Sequence, residues 1–344
     1  MVRGPRKSDR VKGRAFYDDV CDRSNSAGEI ESQIRSDKHR RRRYRLAMND
    51  HTPARARLRL TYREPWNWQQ FHNHFALRTL TGVERLTPHS YTRSFRLGPR
   101  SGWFSVRPLA DQPALELGLS PSCADLAPIL TPRVRRMFDL DADPAVIARH
   151  LGRDPLLASL IARVPSLRLP MAFDPFEQAV RAIVGQQVTV KAAVTISGRL
   201  VQRLGEPLSE TPDGEPMWLF PTPAALAEDP LDGIGMPGKR VQTLRGFAQA
   251  VAGGELILSV SDGVEALVER LCALPGIGPW TAEYIALRAF GEADAFPTAD
   301  LGLLKSPLWG AEGIRPRDLA ARAEAWRPWR AYAAVYLWHS YAED

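Results

Sequence analysis

A carboxylate, Asp300, stands eighteen residues beyond the string Leu274-Pro-Gly-Ile-Gly-Pro-Trp-Thr-Ala282. That string is a Pro-Gly-apolar-Gly turn opening directly into a helix. Gly276 and Gly278 permit positive φ and close approach by another backbone, and Pro279 suits a first helical position. The free amides at such a helix start carry the positive end of the peptide dipoles, so a phosphate can sit against them. A DNA backbone is gripped in this way without its bases being read. Asp300, in the loop Phe296-Pro-Thr-Ala-Asp300, can stabilise a developing positive charge or orient and deprotonate a water. Its plainer role is N-cap for a helix through Leu301-Gly-Leu-Leu-Lys305, and the two are compatible. A glycine pair alone is ordinary turn punctuation.

Trp280, Tyr284 and Leu287 share one face of the helix after the turn, at i, i+4 and i+7. Electron-rich indole faces attract cations, although tryptophans more often fill cores. Gln186 and Gln187 are adjacent amides near the end of a helix through Arg181-Ala-Ile-Val-Gly-Gln-Gln-Val188. They can reach hydrogen-bonding edges or simply face solvent. His72 and His74 stand two apart, which points them to different helix faces and disfavours a shared metal. Cys21, Cys123 and Cys272 are too far apart for a clustered zinc or iron-sulfur motif or a disulfide framework.

The elements that must position these groups fall into two patterns, an α+β first part and a helical remainder. Arg57 to Tyr62 alternates as a half-buried strand, residues 68–75 have helical spacing, and strands at 91–97 and 102–107 flank Gly98-Pro-Arg-Ser. From about Ala124 the pattern turns helical. Asp174-Pro-Phe-Glu177 reads as an N-cap, a first-turn proline and a glutamate placed for a capping box. Phe176, Ala179, Val180, Ile183 and Val184 then form an apolar face. Further helices are expected at 190–204, 222–228, 238–252, 262–273, 280–290, 317–326 and 329–341. The expected organisation is a basic leader (1–55), an α+β subdomain with a small antiparallel sheet (56–123) and an all-helical body (124–344).

The net charge of +7 is uneven. Residues 1–50 hold 14 Lys/Arg against 8 Asp/Glu, which leaves 32 against 31 for the remainder. Nucleic-acid affinity in the body must therefore come from local arrangement rather than a global field. The leader, with its run Lys38-His-Arg-Arg-Arg-Arg-Tyr-Arg45, reads as disordered. Met48 follows that run and is the expected true start. No apolar run approaches the ~18 residues of a membrane span and no signal-peptide core precedes the body. An intracellular, cytoplasmic protein is expected.

The string 274–282 with Asp300 resembles the helix-hairpin-helix base-excision DNA glycosylases, and the flanking residues are similar to the AlkA type, DNA-3-methyladenine glycosylase II, over about Arg57 to Tyr341. The resemblance implies a monomeric enzyme that flips alkylated purines out of double-stranded DNA. It implies Asp300 as the catalytic carboxylate, with Trp280, Tyr284 and Trp338 around the base pocket. Gln186 and Gln187 would enter the minor groove, and Gly276 and Gly278 would present hairpin amides to a phosphate.

Gln187 departs from the leucine that the resemblance suggests, and a glutamine wedges less well than an apolar chain. Ala299 stands where many relatives have a second acid. Trp280 occupies the hairpin position of the lysine that strand-cutting relatives use for a Schiff base, which implies a monofunctional enzyme with water as nucleophile. The backbone carbonyls of Cys272, Leu274 and Ile277 would hold a monovalent cation. The four-cysteine iron-sulfur cluster of some relatives is not expected, because no cysteine follows Cys272. A fused methyl-transfer module is not expected either, since the leader holds one cysteine and no room for bound zinc. The alternatives are a hairpin module that binds DNA without catalysis and a glycosylase for another lesion. Asp300→Asn separates binding from base release.

Overall fold

The computed structural model describes residues 56–343. The readings of residues 1–55, a disordered basic leader and a start at Met48, lie outside the described residues. Five antiparallel strands open the fold: β1 (Arg57–Thr61), β2 (Glu84–Thr87), β3 (Ser90–Leu97), β4 (Arg100–Pro108) and β5 (Ala114–Leu119), in the order β1-β5-β4-β3-β2. Helix α1 (Trp68–Ala76) packs beside them, capped by Asn67, whose side chain accepts from the Gln69 amide. The turn read at Gly98-Pro99 joins β3 to β4, with Leu97 opposite Arg100. Strands β2 and β5 have no counterpart in the sequence reading. β2 is four residues long and β5 is buried along most of its length, so neither shows a sustained alternation for pattern to catch.

One face of the sheet and α1 share an aromatic core of Phe71, Phe75, Tyr91, Phe95 and Phe104, with Leu115 and Leu117 beneath them. Phe138 and Phe173 belong to the same core, as do Leu130 and Val134 of helix α2 (Ala127–Met137). Helices α3 (Pro144–Leu151) and α4 (Pro155–Arg163) follow, each with an aspartate N-cap and a proline in its first turn.

The body then runs through α5 (Pro175–Val184), α6 (Val190–Leu204), α7 (Pro223–Glu228), α8 (Gly238–Ala252), α9 (Val264–Cys272), α10 (Pro279–Ile285), α11 (Leu301–Leu304), α12 (Pro316–Ala323) and α13 (Arg330–Glu343). Their apolar faces meet in one core. Phe176 stacks on Phe247 there, with ring centroids 5.6 Å apart. The body departs from the all-helical expectation at one two-residue ladder among the described residues, β6 (Glu206–Pro207) with β7 (Trp218–Leu219). The Trp218 amide also donates to Gly82 O at 2.9 Å, and Ser94 Oγ donates to Trp218 O at 2.6 Å, so this pair braces the sheet.

Two local expectations change. Asp174 caps α5 by accepting from the Glu177 amide at 2.9 Å, but the Glu177 side chain does not complete a capping box. It accepts instead from Arg93 on β3 and Arg181 on α5, each at 2.5 Å, because two buried guanidiniums outcompete one neutral amide for a buried carboxylate. The long helix read over 280–290 is also divided. α10 ends at Ile285 and passes into a π-turn over Ala286–Phe290, closed by Gly291 at φ 73°.

Candidate active site

The hairpin is built by α9, the turn 273–278 and α10. Gly276 has φ 87°, and a Cβ there would lie 1.9 Å from Thr243 Oγ1 on α8, so glycine is required for both torsion and space. Gly278 differs from its sequence reading. It has φ −96° and ψ 174°, extended backbone open to any residue, and an added Cβ would meet nothing within 4 Å. Gly276, Gly278 and Pro279 are all exposed, leaving the start of α10 open to a partner.

Asp300 is N-cap of α11, as its sequence position suggests, and its carboxylate collects four donors. Oδ1 accepts from the amides of Gly302 at 2.9 Å and Leu303 at 3.2 Å and from Trp338 Nε1 at 2.7 Å, while Oδ2 accepts from Trp280 Nε1 at 3.0 Å. A carboxylate is an acceptor-only group, so two indoles and two amides fix both its place and its tilt. Gly302 makes this possible: a Cβ there would come within 3.0 Å of Trp338 Cδ1 and 3.2 Å of Asp300 Oδ1.

Tyr284 joins the same cluster. It stacks on Trp280, with centroids 5.4 Å apart and planes 14° apart, and meets Trp338 edge-on at 6.2 Å. Asp300, Trp280, Tyr284 and Trp338 are each only partly exposed. Leu287, the third residue of the i, i+4, i+7 reading, is fully buried in the core. Arg288 approaches instead, its guanidinium carbon 4.6 Å from the Trp338 ring centroid and 5.9 Å from that of Tyr284.

The loop carrying Asp300 is anchored independently of the pocket. Glu283 Oε2 accepts from the Phe296 amide at 3.0 Å, and burial pushes the Glu283 carboxyl above its ordinary value. Arg330 Nε donates to Asp294 Oδ1 at 2.8 Å, which ties the loop to the start of α13 and so to Trp338.

The two glutamines part company. Helix α5 stops at Val184 with Gly185 as C-cap, so both lie in the following loop rather than on the helix. Gln186 turns inward and donates through Nε2 to Gly276 O at 3.0 Å and Thr281 Oγ1 at 3.1 Å, splinting its loop to the hairpin. Gln187 is exposed and has φ 55°, left-handed backbone that a non-glycine residue adopts at a cost. Of the hairpin carbonyls, that of Cys272 ends α9, and that of Leu274 accepts the Ile277 amide at 3.1 Å.

Sequence reasoning missed Arg288, Gly302 and Glu283. A signal existed for Arg288, a single cation within the apolar run Ile285-Ala-Leu-Arg-Ala-Phe290. Nothing local marked Gly302, because its constraint comes from Trp338, thirty-six residues further on.

Residues 57–174 match the AlkA N-terminal domain, and residues 180–330 match the HhH-GPD superfamily base excision DNA repair protein. DNA-3-methyladenine glycosylase 2 of Escherichia coli is 35% identical over 284 residues, which covers 82% of this chain and 96% of that protein. The probable bifunctional transcriptional activator/DNA repair enzyme AlkA of Mycobacterium tuberculosis is 38% identical over 282 residues. The chain spans only 56% of that relative's length. Among solved structures, the 3-methyladenine DNA-glycosylase from Archaeoglobus fulgidus superposes with a TM-score of 0.71 at 20% identity, covering 83% of this chain and 98% of that one. The apo 8-oxoguanine glycosylase/lyase of Clostridium acetobutylicum gives 0.58 at 19% identity, covering 77% and 100%. These two likenesses concern the fold.

Proposed function

The chain belongs to the AlkA-type family of the HhH-GPD base-excision DNA repair superfamily, and from that membership we propose that it is a monofunctional DNA glycosylase releasing alkylated purines of the 3-methyladenine and 7-methylguanine class from duplex DNA. The observation that carries this reading is the convergence of two indole N–H groups on Asp300. It sets one carboxylate against an aromatic wall, as cleavage of a glycosidic bond to a stacked base requires.

In this reading the hairpin amides beyond Gly278 take a DNA phosphate, and the lesion nucleotide turns out of the helix toward Trp280, Tyr284 and Trp338. The C1′–N bond breaks with its electron pair leaving on the base. Positive charge develops on the sugar ring, and the Asp300 carboxylate stabilises it electrostatically. Water adds its oxygen to C1′ and gives up a proton to bulk solvent, leaving an abasic site. Asp300 is held by four donors, which suits a fixed anion better than a mobile base. Trp280 offers no amine for a Schiff base, so the strand stays intact.

We assign Gln187, exposed on the loop that Gln186 ties to the hairpin, to the gap left by the flipped nucleotide. A monovalent cation at the carbonyls of Cys272, Leu274 and Ile277 fits this turn. The Cys272 carbonyl lies at the negative end of α9, and the Leu274 carbonyl keeps a second lone pair beside its bond to Ile277. Such an ion would stiffen the turn against the phosphate. We read the enzyme as a monomer acting on double-stranded DNA.

The test is incubation of the full chain with methylated duplex DNA, followed by chromatography of the released bases and denaturing electrophoresis of the strand. Free 3-methyladenine and 7-methylguanine with an uncut strand are expected. DNA binding without any released base would make the chain a binding module, and strand scission by the purified protein would remove the monofunctional assignment.

A further inference from the structure

Arg288 sits where an enzyme that depends on cation-π attraction would not be expected to keep a charge. It lies in the π-turn Ala286–Phe290, a local widening of the helix that recurs at functional sites. It is 7% exposed. Its Nη1 donates to Pro170 O at 2.9 Å, a neutral acceptor that fixes the group without cancelling its charge. The guanidinium carbon lies 4.6 Å from the Trp338 centroid, within the range at which a cation engages an indole face. Trp338 is the same indole that donates to Asp300. Burial, with the neighbouring Arg78, holds the Arg288 guanidinium below its ordinary value, although Tyr284 and Asp300 favour its charge; a guanidinium starts so far above neutrality that it stays a cation.

We propose that Arg288 sets the charge selectivity of the base pocket: by engaging one face of Trp338 with a guanidinium, it removes most of the advantage that a cationic base would gain over a neutral one at that indole. Two effects act in the same direction. One of the ring's two negative faces is already engaged, and a second cation brought to the same indole meets the field of the first. Stacking on the remaining aromatic surface does not discriminate between the two, because dispersion and apolar burial do not depend on the base's charge. Neutral modified purines are therefore handled on nearly equal terms with cationic ones. Arg288 is a specificity determinant acting through Trp338 and touches no reacting atom.

This inference rests on the glycosylase reading. Its test compares single-turnover release of a cationic base, 7-methylguanine, and a neutral one, hypoxanthine, from otherwise identical duplexes. Arg288→Met keeps length and apolar bulk without charge and is expected to raise the cationic-to-neutral rate ratio at least about fivefold, the size of a partly desolvated cation-π contact. Arg288→Lys, which keeps the charge, is expected to stay near the wild-type ratio. An unchanged ratio in Arg288→Met, or an equal fall for both bases, overturns the proposal. A companion measurement needs no variant: inhibition of the wild-type enzyme by 7-methylguanosine and by inosine should agree within about threefold, and clearly tighter binding of the cation also overturns it. If the wild type releases neither base, the glycosylase reading fails; if it releases both and the ratio does not move, only the role of Arg288 fails.

Discussion

Both Asp300 oxygens are occupied from within the protein, by two indoles and two amides of α11. A charge-assisted bond to a carboxylate is short and roughly twice as strong as a neutral one, and the 2.7 Å contact from Trp338 is of that kind. Trp338→Phe keeps an aromatic wall and removes this donor. It is expected to lower single-turnover base release by about tenfold with lesion-DNA affinity nearly unchanged, the pattern of a group that orients the reacting carboxylate. An unchanged rate in that assay would mean that the indole serves only as a wall. Spacing in the sequence set Trp280 and Tyr284 on one helix face, and the grouping of Asp300, Trp280, Tyr284 and Trp338 was legible only through the family resemblance of the string 274–282. Arg288 and Gly302 were not, because their roles appear only when α13 brings Trp338 against them.

At the scale of the element, the hairpin separates two glycines that look equivalent in sequence. Gly276 is required internally, by φ 87° and by Thr243 at its back, whereas Gly278 faces open space with an ordinary torsion. Gly276→Ala forces a left-handed alanine into contact with α8 and is expected to cost about 2 kcal/mol or more, visible as a lowered Tm. Gly278→Ala is expected to shift stability by less than about 0.5 kcal/mol yet weaken duplex binding by roughly tenfold in fluorescence anisotropy, since its methyl would stand at the helix start proposed to take a phosphate. If the two variants behave alike in both assays, the surface assigned to DNA is misplaced. From α5 onward the main helix positions were readable from period and caps, whereas α2, α3 and α4 were read only as a general helical pattern after Ala124; the π-turn was not read, because an i to i+5 register leaves no distinct apolar spacing over five residues. Strand β5, buried along most of its length, lacked the alternation by which the other long strands are recognised.

Over the whole molecule, the sheet is joined to the body by a buried network of four charges. Glu84 accepts from Tyr91 Oη at 2.5 Å and from Arg181 at 2.7 Å, and Glu177 accepts from Arg93 and Arg181 at 2.5 Å each. Burial opposes the charge on Glu84, but Arg181 and Arg93 prevail and hold its carboxyl at about 2. A folded value below the unfolded one, ~4.3 for glutamate, means stability that is fully present above the unfolded value and lost as pH falls from about 4.5 toward 2. Glu84→Gln is expected to cost about 3 kcal/mol at neutral pH and to flatten the acid side of the stability profile measured by urea unfolding. A variant as acid-sensitive as the wild type would remove Glu84 from that role. None of these partners is near another in sequence across the join, which is why composition showed only mixed charge.

The central claim, that Asp300 performs the chemistry while the hairpin performs the grip, is tested most directly by Asp300→Asn assayed for both properties on one duplex containing 7-methylguanine. Asparagine retains an acceptor for the α11 amides and loses the negative charge. Base release should fall at least ~100-fold, the scale of removing a principal electrostatic stabiliser, while the affinity for the duplex stays within about threefold. Release at the wild-type rate, or loss of binding in parallel with release, would contradict the account.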